Sequence, residues 1–599
     1  MNVSERIEYY RQLATNARQT YNSLSRQLSI NSVLRLVIFL AGVACVYIFY
    51  HHTFILVPAI ALTVLLFLFL LQRHGKLTTQ KKRAEITQKL SEDEGKAFAY
   101  DFSSFDGAPE EIDPAHDFSF DLDIFGEQSI FQLINRTCLP IGKEKLAGFL
   151  KRPLLHKNDI EERQKAVKEL AENEAFCLQF RIVGGLSDKS FSSMQEVENT
   201  FPVKPPTLKT VSWRSLTILV PALYVVYLTL WLLNIVPGSL FLLLYIFTLA
   251  LSSIPLNKVK KIWLQFDKKA KLLQNHAELL NLIETAPFKS KILKGLQDRI
   301  TNNKKSSTCI NRLTRYVSNL DQSFAFPVLL IVNPLFLWNI RYSLKIERWM
   351  KENAAYALEW FDVLAETDAL ISLATFTLNH PDYTFPTINE GDFCLEGTDI
   401  GHPLIPADKC VKNDLIIVRK PYFMIITGAN MAGKSTYLRT IGVNHLFASI
   451  GAPVCASRFR FYPGRLLTNL RTADSLVNNE SYFFAELKRL KMIINALESG
   501  EKGLFIILDE ILKGTNSEDK QKGSIALMKR LVQLGGNGII ATHDLALGAL
   551  EDTFPDAVKN AHFDANISNN TLSFTYKIQD GIAKNMNASF LMKSMGITE

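Results

Sequence analysis

The run Gly428-Ala429-Asn430-Met431-Ala432-Gly433-Lys434-Ser435 fits the pattern G-x-x-x-x-G-K-[ST], and Thr436 follows it. Glycines in such a loop let backbone N–H groups wrap a phosphate, and a helix opening at its end adds a favourable dipole. Lys434 would then reach the β- and γ-phosphates of a nucleoside triphosphate, with the Ser435 hydroxyl on Mg2+. Further along, the apolar run Leu504–Leu508 delivers Asp509 and Glu510. Phosphoryl hydrolysis needs such a pair, one carboxylate for the metal shell and one group to orient the attacking water. Two adjacent acids after a strand could also do no more than cap the next helix. His543, in Ile540-Ala541-Thr542-His543-Asp544, follows a third apolar run and could sense the γ-phosphate or hold the water. The expected ligands are therefore ATP and Mg2+, with Glu510 and His543 catalytic and Ser435 and Asp509 at the metal.

These residues need strands that end at the loop and helices that start from it. After Pro386 the chain alternates short β-like runs with helices, and the strand expected over Phe423–Ile426 leads into the glycine loop and a helix from Ser435. This is an α/β pattern with parallel strands. Before it, Lys258–Ile300 and Lys345–Leu378 show apolar residues at three- and four-residue spacing, which predicts packed helices and no chemistry. The fold expected is an α/β P-loop NTPase domain at 391–599, preceded by an all-α core and lever region.

The chain has 599 residues, 47% hydrophobic and only 21% charged, which predicts several domains and excludes disorder throughout. Leu36–Gln72 and Ser215–Asn257 contain no Asp, Glu, Lys or Arg. Each has room for two spans of about 20 residues, so two transmembrane hairpins are expected, with turns at His51–Thr53 and Asn234–Gly238. Arg and Lys flank both stretches on both sides, which puts all four ends in the cytoplasm and makes the net charge of +8 mainly a mark of topology. No cleavage site closes the first stretch, so an anchor is expected in place of a signal peptide. A third uncharged stretch, Gln322–Ile340, is interrupted by Pro327, Asn333 and Pro334. A single span there would move the nucleotide machinery outside the cell, so a buried or interfacial helix is expected.

The remaining expected units are a cytoplasmic leader at 1–35, a linker at 73–120, a core module at 121–214 and its helical second part at 258–390. Pro109, Glu110, Glu111, Asp113 and Pro114 suggest either that linker or the charged face of a short helix. The seven cysteines form no C-x-x-C pair and no Cys/His cluster, which argues for reduced thiols and against a disulfide scaffold or zinc site.

Together, Thr427–Thr436, Asp509–Thr515 and Ala541–His543 resemble the MutS family of ATPases, relatives of the ABC type. His402-Pro403-Leu404 and Ser481-Tyr482-Phe483-Phe484-Ala485-Glu486-Leu487 extend the likeness, the latter similar to the family's S-x-F-x-x-E-M segment. Asp121–Phe125, Asn135–Thr137, Gly142 and Arg163-Gln164 resemble the opening of the family's core module, and Leu364–Ala374 its closing helix. The resemblance implies ATP binding and hydrolysis, a homodimer in which Ser481 contacts the partner's nucleotide, and binding to mismatched or branched DNA. Residues 1–120 hold the first hairpin and linker where the family carries a mismatch-reading domain. Phe125-Gly126-Glu127 has the spacing of the family's base-wedging F-x-E but lies inside the core-module match and reads as structural. Asn479 and Glu480 replace the family's Gly and Arg before the serine. Cys410–Asn413 lacks the aromatic that often stacks on adenine, and no C-terminal dimerising helices are expected after the ATPase domain. The whole reads as a multi-pass membrane protein with its ATPase domain in the cytoplasm, and its rival as an ATP-driven membrane regulatory or assembly factor that does not bind DNA.

Overall fold

The computed structural model describes residues 1–599 except 187–189, 203–210, 268, 303, 327, 419, 430, 472–481, 514, 569–570 and 584–599. Two long helices, Val3–Phe49 and Thr53–Phe98, open the chain and pack antiparallel along their length. The turn between them falls at Tyr50–His52, one residue ahead of the expected His51–Thr53, since Thr53 already opens the second helix. The boundaries expected at 35/36 and 72/73 do not exist as breaks. The leader continues the first helix, and the linker is helical up to Phe98, leaving only the following loop with one 3-10 turn at Pro109–Glu111.

The reason is a seven-residue repeat. Tyr10, Ala17, Leu24 and Asn31 are buried on the first helix, and Leu70, Leu77, Ala84 and Ser91 on the second. A strict heptad stripe keeps two helices in register as a supercoiled pair, and small residues such as Ala17 and Ala84 let the backbones approach. At 1.5 Å per residue, residues 3–35 form a stalk of about 50 Å. Beyond it the apolar side chains turn outward, with Phe54 95% and Tyr47 85% exposed.

The root of the stalk is tied into the helical core by buried polar bonds. Glu94, fully buried, accepts from Arg136 Nε at 2.9 Å, Arg181 Nη2 at 2.8 Å and Asn379 Nδ2 at 2.9 Å. Burial alone would raise this carboxyl, and the two guanidiniums outweigh it and hold it below its usual range. Tyr10 donates to Asn379 Oδ1 at 3.0 Å, and Arg6 pairs with Glu174 at 2.8 Å. Asn379 thus bonds both stalk helices at once, and it is the last residue of the helix Trp338–Asn379, about 60 Å long by its rise per residue.

Among the described residues, three helices are long and apolar enough to cross a membrane, Val3–Phe49, Thr53–Phe98 and Trp213–Leu232, or up to four if the pair Ser239–Ser253 and Leu256–Gln265, bent by 53°, counts as one span. The second expected hairpin therefore has one full-length arm and a shorter, broken return. The break falls at Ile254–Pro255, after which Val259 and Ile262 turn into the core. The third stretch forms a single π-turn at Val328–Val332 and a short helix at Asn333–Phe336, packed on the second apolar pair, with Tyr245 donating to the Leu330 carbonyl at 2.6 Å. Buried Asn333 accepts from the Asn339 N–H at 3.0 Å and donates to the Ser323 carbonyl at 3.3 Å, fixing that break.

The C-terminal domain is α/β, as expected. Among the described residues its main sheet has six strands in the order Thr571–Asp580, Val558–Ser568, Tyr422–Gly428, Asn537–Ala541, Phe505–Asp509, Leu466–Asn469. All neighbours are parallel except the first pair. A smaller sheet of four strands packs Asn413–Ile417 and Leu395–Ile400 beside Arg458–Phe461 and Thr387–Ile388. The core module is clamped to this domain. Asp121 accepts from Thr468 Oγ1 at 2.6 Å and from the Arg471 N–H at 3.0 Å, and Asp123 pairs with Arg439 at 3.0 Å. The long core helix also meets it, through Phe376 against Phe447 at 5.3 Å between ring centroids. Phe125 is buried, in keeping with a structural role for Phe125-Gly126-Glu127.

Candidate nucleotide site

The strand Tyr422–Gly428 is buried along its whole length and ends at the loop, whose helix runs Lys434–Ser449. Only glycine fits at Gly428, where φ is +146° and a Cβ would stand 2.6 Å from the Phe563 carbonyl oxygen. Gly433 has φ +104° and Met431 φ +65°, so the chain turns sharply at both. Ala429 and Ala432 are buried in its floor, while Ser435 and Thr436 face outward at the head of the helix. Asn430 and Ser481 lie outside the described residues.

Parallel pairing brings the separate motifs together. Asp509 lies beside Ala541 across two central strands, so the acids and His543 leave the sheet at the same edge as the loop. Ser435 Oγ donates to Asp509 Oδ2 at 2.5 Å. Asp509 Oδ1 is buried with no hydrogen-bond partner among the described residues. Burial raises this carboxyl, and the Ser435 hydroxyl lowers it in part. A hydroxyl beside a carboxylate with one unsatisfied oxygen is a donor set that suits a hard divalent cation.

Lys434 donates to the carbonyls of Gly428 at 2.7 Å and Ala429 at 2.9 Å, so its ammonium sits on its own loop. Burial lowers it to about 8, against the pull of Asp509 and Glu510. Glu510 accepts from His543 Nε2 at 2.8 Å, and that bond, ahead of every other influence, lowers its carboxyl to about 2. Since His543 Nε2 carries the proton it donates to Glu510, its 3.4 Å approach to Lys434 Nζ is a contact between two donors.

Glu510 and Leu512 both have positive φ, 48° and 59°, which non-glycine residues adopt only under constraint. The Glu510 N–H is held by the Ala541 carbonyl at 2.9 Å, and the turn at Leu512 by Glu486. Its buried carboxylate accepts the N–H groups of Leu512 at 2.5 Å and Lys513 at 3.2 Å, from the helix Tyr482–Glu498. The residue belongs to the segment beginning at Ser481, and its spacing alone gave no hint of this role.

A cavity of about 430 Å³ opens over the loop, its lining including Lys434, Ser435, Glu510 and His543 together with Cys410, Asn413 and Tyr576, whose ring lies against Gly433. Tyr576 was not legible in the sequence. It sits where the register shifts between Phe574 and Ile578, with φ +54°, and a bulge of this kind re-aims a side chain. Asn413 holds the bulge open by donating to the Tyr576 carbonyl and accepting from the Ile578 N–H, both at 2.9 Å. Tyr576 thus adds an aromatic ring to the cavity wall that Cys410 and Asn413 also line. His402, half-buried in the same wall, is lowered to about 4 by desolvation.

Comparison with known proteins bears on this arrangement. Residues 424–596 match the family model for MutS domain V, and residues 116–201 that for MutS domain III. The DNA mismatch repair protein MutS of Thermotoga petrophila is 31% identical over 254 residues, 42% of this chain and 31% of the relative. MutS protein homolog 4 of Homo sapiens is 32% identical over 238 residues, 38% of this chain and 24% of the relative. The MutS protein of Bacillus subtilis is 31% identical over 231 residues, 37% and 26% of the two chains. The match therefore spans about a third or less of these relatives.

Proposed function

We propose that this chain is a MutS-family, membrane-anchored ATPase that uses Mg-ATP as a conformational switch, a reading supported by its matches to MutS domains V and III. The observation that carries the ATPase reading is the convergence at one sheet edge of the glycine loop, the Ser435–Asp509 bond and the Glu510–His543 pair. Lys434 and the loop N–H groups would bind the β- and γ-phosphates, and Tyr576 would flank the base. Ser435 and Asp509 would hold Mg2+, which neutralises charge on the phosphates when bound. Glu510, kept ionised by His543, can accept a hydrogen bond from the attacking water, and His543 fixes its direction. Glu486 holds the turn at Leu512 that follows Glu510.

Membrane anchoring is supported by the three apolar helices and by the outward-facing apolar side chains beyond the stalk. The stalk would carry the first pair of spans at a set distance from the ATPase domain. Action on mismatched or branched DNA as a homodimer, with Ser481 reaching the partner's nucleotide, is inferred from the relatives' names and the resemblance around Ser481.

Detergent-purified full chain should bind heteroduplex or branched DNA in a filter assay, with affinity falling steeply as salt rises. No binding at low salt by protein that still binds ATP would remove DNA from the proposal. A reporter fused at Glu599 should be active only on the cytoplasmic side, and activity on the other side would overturn the topology.

A further inference from the structure

A second cavity, of about 370 Å³, lies between the stalk root and the nucleotide domain, lined among others by Phe98, Tyr100, Tyr383, Cys410 and Cys455. Ile405 and Cys410 line this cavity and the nucleotide cavity alike, so they form the wall between them. Cys410 and Cys455 approach the same point. Each sulfur lies 3.0 Å from where a Cβ on Gly401 would stand, which places the two within about 6 Å of each other.

The two thiols differ in how they are held. Cys410 is partly exposed on the loop that runs through Ala407, Asp408 and Lys409, all facing solvent. Cys455 is buried and fixed: its N–H donates to Asn444 Oδ1 at 2.7 Å, on the phosphate-loop helix, and its carbonyl accepts from the Gly401 N–H at 2.8 Å. Burial raises the Cys455 thiol, and a hydrogen bond with the Tyr383 hydroxyl draws it part of the way back. A disulfide needs its sulfurs at about 2 Å, so one side must move, and the exposed loop is the side free to do so.

We propose that Cys410 and Cys455 are a modification site at which a peroxide closes a reversible disulfide and thereby weakens nucleotide binding. The Cys410 thiolate attacks a peroxide oxygen and breaks the O–O bond, leaving a sulfenic acid and releasing hydroxide, which leaves as water. Cys455 then attacks that sulfur, forming the S–S bond and expelling a second water. Two thiols lose two electrons, one peroxide gains them, and two waters result. Closure draws Cys410 and Val411 out of the wall of the nucleotide cavity. It also staples together the two ends of the segment that contains the phosphate loop and its helix.

The effect on nucleotide rests on the ATP-site reading, whereas the disulfide itself does not. The test takes reduced full chain in detergent, titrates it with hydrogen peroxide, blocks free thiols and maps the digest by mass spectrometry, with ATP affinity measured in parallel. The expected result is a Cys410–Cys455 linked peptide, ATP affinity at least about tenfold weaker, and recovery of both on adding dithiothreitol. Cys455→Ser should give no linked peptide and keep the ATP affinity of the reduced protein under the same peroxide. Absence of the linked peptide overturns the site, and a linked peptide with unchanged affinity overturns the regulation. Reduced protein that binds no ATP would refute the ATP-site reading alone, and the peptide map would still decide the thiol pair.

Discussion

Glu510 Oε1 lies 2.8 Å from His543 Nε2, joining the ends of two neighbouring strands in the mouth of the nucleotide cavity. The bond does two things at once. It keeps the carboxylate ionised far below neutral pH, and it settles which imidazole nitrogen carries the proton. A glutamate that must hold a water by accepting its hydrogen needs both, because a protonated or swinging carboxyl would offer no fixed acceptor.

Lys434 leads to a pH dependence. Its ammonium is lowered to about 8 by burial in the free site, and a bound triphosphate raises it. Binding at pH 8 to 9 should therefore take up a fraction of a proton, and ATP affinity should fall as pH rises through 8. Calorimetry in buffers of different ionisation enthalpy measures the uptake directly. Lys434→Arg, which stays charged throughout, should show none; equal uptake in that variant would place the titrating group elsewhere.

Tyr576 should matter for the base and not for the phosphates. Loss of one aromatic stacking contact is worth about 0.5–1.5 kcal/mol, so Tyr576→Ala should weaken ATP binding by up to about tenfold. Competition by inorganic tripolyphosphate should be unchanged. Equal weakening of both ligands would mean that the bulge, and not the ring, had been lost.

The stalk root gives a stability prediction. Glu94→Ala leaves Arg136 and Arg181 buried without their counter-ion, and removing one member of such a buried pair costs about 3–5 kcal/mol. Limited proteolysis and hydrogen exchange should show the two stalk helices opening at their root, while the main sheet of the ATPase domain keeps its protection. Unchanged protection of the stalk would mean that the heptad stripe alone holds it in place.

What could be read from the sequence follows from how local each signal is. Gly428–Ser435 is contiguous, and Asp509, Glu510 and His543 each sit directly after an apolar strand, so the phosphate-binding edge was legible before any fold was known. Leu36–Gln72 and Ser215–Asn257 announced themselves by lacking charge. Glu94 did not, since its partners Arg136, Arg181 and Asn379 lie 42, 87 and 285 residues away, and a carboxylate in a run of mixed charges reads as a solvated linker. The stalk escaped notice because its buried stripe includes Ala17, Asn31, Ala84 and Ser91, whose spacing carries the signal while their hydropathy does not. Tyr576 depends on a bulge in the final hairpin, which no local pattern specifies.

The most direct measurement is steady-state Mg-ATP hydrolysis by purified full chain and by Glu510→Gln, with ATP binding measured on the same samples. The wild type should turn ATP over slowly. Glu510→Gln should bind ATP within about threefold of wild type and lose turnover by at least about 10²-fold, the scale on which a positioned acid–base group contributes. Undiminished turnover in Glu510→Gln, or none in the wild type, would contradict the assignment of this edge of the sheet as an ATP-hydrolysing site.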